Sequence, residues 1–322
     1  MSGDTTWVHD PSIAREDGTY HLYSTHDGIQ HRTSTDLQHW SRAAPVFAEP
    51  PVWLTQEAPV GKGDIWAPDI SRWGGRWHLY YSTSEFPAGS LPTRNSAIGH
   101  ATAVTLDPSS PDGGWTDHGP VLRSRGQFLD ADRSGWNAID PAVVLDDDNR
   151  PWLSWGSNYD GIFLQPLQPD GTLDPSVPPV NLARRELVTD NIETPTILKR
   201  GDRWYLFASF DLCCFGMNST YNVRVGRSAS LAGPYVDRDG RPMLEGGGTK
   251  VLATYGNVLA PGHQTVLHEG DNWWLIHHWY DPAHDAHPEL GIRPLDWDAD
   301  GWPVARGWSP VVALPAPPGV HN

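Results

Sequence analysis

The chain has 322 residues, and 17 Trp and 10 Tyr carry an unusual share of its 38% hydrophobic content. With 39 acids against 23 bases its formal charge is −16 and no basic stripe is visible, which excludes DNA or RNA as a partner and favours a neutral substrate over a polyanion. No apolar run approaches the length of a membrane-spanning helix, and 32 Gly with 30 Pro imply many turns and little helix.

The first six residues are polar and carry no signal-peptide pattern; the expected location is cytoplasmic if Met1 is native and extracellular if an export signal has been removed. The first recurring unit follows at Trp7-Val8-His9-Asp10-Pro11-Ser12-Ile13. A polar residue, often followed by Pro and a short β-branched run, leads through a tight turn into an aromatic-rich strand. The later copies are Ala67-Pro68-Asp69-Ile70, Asp140-Pro141-Ala142-Val143, Glu193-Thr194-Pro195-Thr196 and His263-Gln264-Thr265-Val266. The aromatic that opens the next strand comes ten to twelve residues later, at Tyr20, Trp77, Trp152, Trp204 and Trp273.

Strand propensity, period-2 alternation and turn residues predict four strands in the first unit, at 8–15, 20–25, 29–34 and near Trp40. The second unit predicts strands at 69–73, 77–83, 96–104 and 115–122, and the third at 140–145, 152–156 and 161–167. In the fourth they fall at 194–198, 204–210, 222–228 and 234–237, and in the fifth at 263–268, 273–279, 290–297 and 301–304. A roughly 60-residue repeat of four strands is the signature of a β-propeller. The predicted fold is therefore all-β: one five-bladed propeller across 1–322, with blades starting near 8, 67, 140, 193 and 263 and no room for an appended domain after the fifth. Tandem β-sandwiches would not repeat a turn and an aromatic at matched offsets.

In a propeller the first strand of every blade lies nearest the axis. Asp10, Asp140, Glu193 and His263, as equivalent blade-starters, are therefore expected to share one cavity. Ala67 in the second blade leaves room, and Asp69 lies two residues on, along the same strand face. Three carboxyls in one channel cannot all ionise cheaply, so at least one pKa should be pushed up. A protonated acid facing an ionised carboxylate is the apparatus of glycoside hydrolysis. A single Asp-Pro is ordinary turn punctuation; the recurrence at one blade position, and a Glu among strand formers at Ile192-Glu193-Thr194, favour function. Trp66 is a candidate platform for stacking a sugar, with core packing equally open. Among the 15 His no metal-ligand spacing is visible, though His278 is placed to reach the cavity from a second strand. The adjacent Cys213 and Cys214 cannot close a long loop; buried thiols are the expectation and a vicinal disulfide the alternative.

The order of Val8-His9-Asp10-Pro11, Ile65-Trp66-Ala67-Pro68-Asp69-Ile70, Asn137-Ala138-Ile139-Asp140-Pro141, Trp155-Gly156-Ser157 and Ile192-Glu193-Thr194-Pro195 resembles glycoside hydrolase family 43 along essentially the whole chain. Ser209-Phe210-Asp211-Leu212-Cys213-Cys214, Ser219-Thr220-Tyr221-Asn222, Gly246-Gly247-Gly248-Thr249 and Pro261-Gly262-His263 are similar to stretches of its endo-α-1,5-L-arabinanases. The resemblance implies hydrolysis of arabinan or arabino-oligosaccharides with inversion, Asp10 as general base, Glu193 as general acid, and Asp140 orienting Glu193 and holding its pKa up. Inversion needs a water between base and sugar, so the Asp10 and Glu193 carboxyls should lie about 6.5–9.5 Å apart rather than about 5–5.5 Å. It also implies Asn137 and Ser157 as hydrogen-bond donors to arabinose hydroxyls, and His263 as the single protein ligand of a metal ion, Ca²⁺, otherwise held by water. The rivals are an exo-acting arabinofuranosidase or β-xylosidase of the same family, and a non-catalytic carbohydrate-binding propeller, which would not need all three acids. A protein-interaction propeller would need no acids on its axis.

Overall fold

The computed structural model describes residues 1–85, 95–124, 135–185 and 191–306. Four-stranded antiparallel meanders succeed one another in five sheets, the five blades expected from the repeat. Their inner strands are Ser12–Glu16, Trp66–Trp73, Ala142–Leu145, Ile192–Arg200 and Leu259–Glu269. Two-residue turns make four of the five inner hairpins, residues 146–150 making the other: Asp17-Gly18 and Gly74-Gly75 have positive φ at both central positions, the geometry that matches strand twist.

The second strand of a blade is buried on both faces because a neighbouring blade packs on each side. Arg203–Phe210 is buried at every position after the first. One cluster joins Val144, Ile162 and Leu164 of the third blade to Ile197, Trp204 and Leu206 of the fourth. The many aromatics therefore serve mainly as inter-blade filling, and this rigid ring presents the inner-strand ends to the axis.

The ring closes without exchanging a full strand. The segment before Asp10 runs along the third strand of blade five, His287–Trp297. Val8 N–H donates to Pro288 O at 3.2 Å, and Leu290 N–H donates to Thr5 O at 2.9 Å.

Several elements differ from expectation. The outer strand of blade four is Thr249–Leu252, not 234–237. Pro234 has no N–H to give, and a turn at Asp237–Arg241 ends the stretch, leaving only isolated bridges at Val236. Blade three gains an outer strand, Val180–Ala183. Blade one gains Ser2–Gly3, which pairs in parallel with His39–Arg42. A short helix, Val52–Glu57, buries Leu54 against the second blade. Cys213 and Cys214 are joined as a disulfide at a surface turn, so the expectation of buried thiols is corrected: Cys214 is exposed, and adjacent residues of this turn bring their sulfurs together.

The equivalence of blade-starters is also corrected by one residue. Asp10, Ala67, Asp140 and His263 share a left-handed backbone, with φ of 52°, 48°, 56° and 47°. In blade four the residue with that conformation is Thr194, at 57°, followed by Pro195 as Asp10 is by Pro11. Glu193 sits one position earlier, opposite Ser209 on the next strand, where blade two has Trp66 opposite Ser82.

Candidate active site

Each left-handed residue takes its N–H out of the strand ladder, and a buried N–H needs an acceptor. The preceding blade supplies one. Ala67 N–H donates to Thr25 Oγ1 at 2.9 Å, Asp140 N–H to Ser82 Oγ at 3.1 Å, and His263 N–H to Ser209 Oγ at 2.9 Å. Asp10 N–H closes the cycle on His278 Nδ1 at 3.2 Å. Blade three has Gly156 at this place, its N–H bonded to Ile139 O as Thr25 N–H is to His9 O, and it offers no side chain. The Thr194 N–H donates instead to the Asp140 carboxyl.

This ring places the acids. Asp140, Asp69, Thr194 and His263 line the axial channel. Asp10 is 7% exposed. Its Oδ2 accepts from Thr25 Oγ1 at 2.6 Å, and its Oδ1 lies 2.8 Å from His9 Nδ1, 2.9 Å from His263 Nδ1 and 3.6 Å from His278 Nδ1. Burial pushes its pKa up, but the His263 and His9 imidazoles outweigh burial and hold it well below the usual carboxylate value. Asp10 is an ionised carboxylate.

Asp140 behaves oppositely. Burial, then the charges of Glu193 and Asp10, push its pKa well above the ordinary value, against the opposing pull of the Thr194 N–H. The expectation that one axial acid would be forced to hold a proton is met here.

Glu193 is held from three sides. Its Oε1 accepts from Ser157 Oγ at 2.7 Å and Asn158 Nδ2 at 3.0 Å, and its Oε2 bonds to the Tyr221 hydroxyl. Tyr221 reaches it because residue 262 is glycine: a Cβ there would lie 2.0 Å from Tyr221 Cδ2. Burial, then Glu193 and Asp140, push the Tyr221 pKa well above 10, so the phenol stays a donor.

The remaining expected residues divide. Ser157 reaches the site, but its hydroxyl is given to Glu193. His278 reaches Asp10 and is fully buried. Burial and the neighbouring His9 push its pKa well below 6.5, and since Nδ1 accepts from Asp10 N–H the neutral ring carries its proton on Nε2. Trp66 is half-buried, with Nε1 donating to Asp64 Oδ2 at 2.8 Å. Asn137 is buried and its Oδ1 accepts from Ser96 Oγ at 2.8 Å. His9, Thr25, Asn158 and Tyr221 were not anticipated; adjacency to Asp10 was the available signal for His9.

With Nδ1 of His263 engaged by Asp10, its second ring nitrogen remains for a metal ion. Asp140 and Asp69 line the same channel, but burial pushes both carboxyls toward their neutral forms, Asp69 to about 7. This donor set fits one imidazole plus water, a modest site. His9, Cys213 and His278 also bring potential ligand atoms together, yet the disulfide leaves Cys213 no thiolate to ligate with.

A carboxyl held toward ionisation, a second pushed toward its protonated form and a third that is hydrogen-bonded share one axis, a set that can supply the acid–base chemistry glycoside hydrolysis requires. Residues 5–303 match the model of glycosyl hydrolases family 43. The chain belongs to this family. It is a glycoside hydrolase. An extracellular exo-α-(1→5)-L-arabinofuranosidase of Cellvibrio japonicus is 39% identical over 92% of this chain and 85% of its own length. An extracellular endo-α-(1→5)-L-arabinanase of Bacillus subtilis is 35% identical over 92% and 87%. The structure of a Cellvibrio cellulosa α-L-arabinanase complexed with arabinohexaose aligns with a TM-score of 0.87 and 36% identity, covering 94% of this chain and 96% of that one. In this family 43 chain, therefore, the axial acids sit on a scaffold shared with arabinan-degrading relatives.

Proposed function

We propose that the protein hydrolyses α-1,5-L-arabinofuranosidic linkages inside arabinan chains by a single inverting displacement. The observation that carries this reading is the split among the axial acids: Asp10 is held ionised by its histidines, while Asp140 is driven to hold a proton beside Glu193. Asp10 takes a proton from water as the oxygen attacks the anomeric carbon. Glu193 gives its proton to the departing O5 of the next arabinose, and a reducing end of inverted configuration is released.

The charge of Glu193 raises the proton affinity of Asp140, so a proton is retained between the two carboxyls. When Glu193 carries the proton, the charge left on Asp140 opposes its loss until the leaving oxygen develops negative charge. Ser157, Asn158 and Tyr221 keep Glu193 aimed. Trp66 is proposed as a sugar platform, and Asn137 as a polar contact at the edge of the cleft. A hard divalent cation such as Ca²⁺, held by His263 and water, would add positive charge on the axis. Metal content and melting temperature after chelation test that assignment; no bound metal and an unchanged melting temperature would remove it.

Glu193→Gln should abolish hydrolysis of linear arabinan while arabino-oligosaccharide binding and the melting temperature persist; full turnover would end the assignment. Proton NMR of the first product fixes the stereochemistry, and a retained anomer rejects inversion. A second reading, attack from the chain end, is favoured by the 39% identity to an exo-acting relative against 35% to the endo-acting one. Early products from linear arabinan separate them: a spread of oligosaccharides with fast viscosity loss marks internal cleavage, one short product marks the other.

A further inference from the structure

The turn that carries Cys213 and Cys214 belongs to blade four, yet it reaches across to the base on blade one. Cys214 N–H can only donate, and it does so to the Tyr280 oxygen at 3.0 Å. The Tyr280 proton is then free to be given onward, and His9 Nε2 lies 3.0 Å away. A His9 ring that accepts at Nε2 carries its proton on Nδ1, which stands 2.8 Å from Asp10 Oδ1. With a neutral His9 accepting at Nε2, one consistent set of hydrogen bonds runs from the disulfide turn to the carboxylate.

Packing fixes the same ring. The two sulfurs lie 3.8 and 3.7 Å from His9 Nε2, and Cys213 Sγ lies 3.5 Å from the Tyr280 hydroxyl. His278 stacks on His9 with ring centroids 4.0 Å apart. Tyr280 is 4% exposed, so its hydroxyl has little access to water as a substitute partner.

We propose that the Cys213–Cys214 disulfide, Tyr280 and His9 form one positioning chain for the Asp10 carboxylate, so that opening the disulfide slows turnover without weakening substrate binding. The inference rests on Asp10 being the base. Reduction by a dithiol delivers two electrons and two protons: the S–S bond breaks, Cys213 and Cys214 each gain an S–H, and the dithiol closes to its own disulfide. Two unbonded thiols cannot remain at bonding distance, so the turn must shift. The Cys214 N–H then leaves Tyr280, and an S–H competes with the Tyr280 hydroxyl for His9 Nε2. His9 loses its fixed tautomer, and Asp10 loses the donor that orients Oδ1.

The test measures kcat and KM on arabinohexaose for the oxidised protein, the dithiothreitol-treated protein, Tyr280→Phe, His9→Ala and His9→Asn, with melting temperatures alongside. The expected result is a fall in kcat of about tenfold or more, with KM within about twofold, for reduction, Tyr280→Phe and His9→Ala. His9→Asn should recover part of the loss, because its amide can still donate. Reduction should add nothing in the Tyr280→Phe background. Unchanged kcat in both the reduced protein and Tyr280→Phe overturns the chain, and so does a raised KM with kcat intact, which would make the disulfide a sugar contact. Asp10→Asn separates the two readings: inactive D10N beside an unaffected Tyr280→Phe rejects the positioning chain alone, while active D10N rejects Asp10 as base.

Discussion

The Thr194 N–H donates to the Asp140 carboxyl because Gly156 occupies the place where other blades supply an accepting side chain. Gly156 has φ of 133°, and a Cβ there would lie 2.2 Å from Gly161 O, so the fold cannot place a serine where blade two has Ser82. The Asp140 carboxyl is thereby recruited into the ring, which orients it beside Glu193. Gly156→Ala should lower unfolding free energy by about 2–3 kcal/mol, more than Ser82→Ala, whose cost is about 1–2 kcal/mol for an unpaired Asp140 N–H. Urea denaturation checks the order, and a Gly156→Ala cost below that of Ser82→Ala would contradict it.

Tyr221 binds the second oxygen of Glu193, and among the described residues no other hydrogen bond to that oxygen replaces it. Tyr221→Phe removes a hydrogen bond to a carboxyl, a loss of about 1.5–3 kcal/mol, or roughly 10- to 100-fold in kcat on arabinan. A substrate with an acidic leaving group needs little protonation, so an aryl arabinoside should lose much less. Equal losses on both substrates would mean that Tyr221 serves binding or folding rather than the acid.

The five blades were legible because each inner strand, turn and aromatic recurs within a dozen residues, where sequence order and spatial order coincide. The gathering of Asp10, Asp140 and His263 followed from that repeat. Glu193 was displaced by one position because polarity was matched between copies; the proline column, Pro11, Pro68, Pro141 and Pro195, marks the true register and makes Thr194 the equivalent residue. The Tyr221 contact was not legible. It depends on Gly262 leaving space from another blade, a relation that no local pattern encodes. The hydroxyl ring through Thr25, Ser82 and Ser209 was hidden for the same reason: each side chain serves the next blade.

Asp69 lines the channel, its Oδ2 accepting from Val143 N–H at 2.9 Å, and burial raises its pKa from 3.8 to about 7. A carboxyl with a raised folded pKa favours folding below the unfolded value and loses that advantage as pH rises toward the folded one. Asp69 should therefore weigh increasingly against the folded state between about pH 4 and 7. Asp69→Asn keeps an acceptor for Val143 and should raise stability at pH 8, measured with chelator present, by about 2–4 kcal/mol, with no gain at pH 4. An equal effect at both pH values would refute this origin.

Blades one and two carry the same buried histidine pair in the same register. His21 Nδ1 lies 3.0 Å from His31 Nε2, and His78 Nδ1 lies 2.9 Å from His100 Nε2, with His31 opposite Tyr23 and His100 opposite Tyr80. Burial lowers the pKa of all four, and the neighbouring histidines contribute for His31 and His100; the values reach about 3 for His31, about 4 for His78 and about 3 for His100. A depressed histidine contributes stability above its unfolded value of 6.5, and that contribution falls with pH by about 1.4 kcal/mol per unit for each group until the folded value is reached. Stability should consequently decline between pH 6.5 and 4.5 with uptake of several protons on unfolding. His31→Gln combined with His100→Gln should lower stability at pH 7, yet give a shallower decline with acid, because two groups that charge only on unfolding are gone. Urea denaturation at pH 7, 6 and 5 measures both effects. A variant whose slope matches the unaltered protein would show that acid sensitivity resides outside these two pairs.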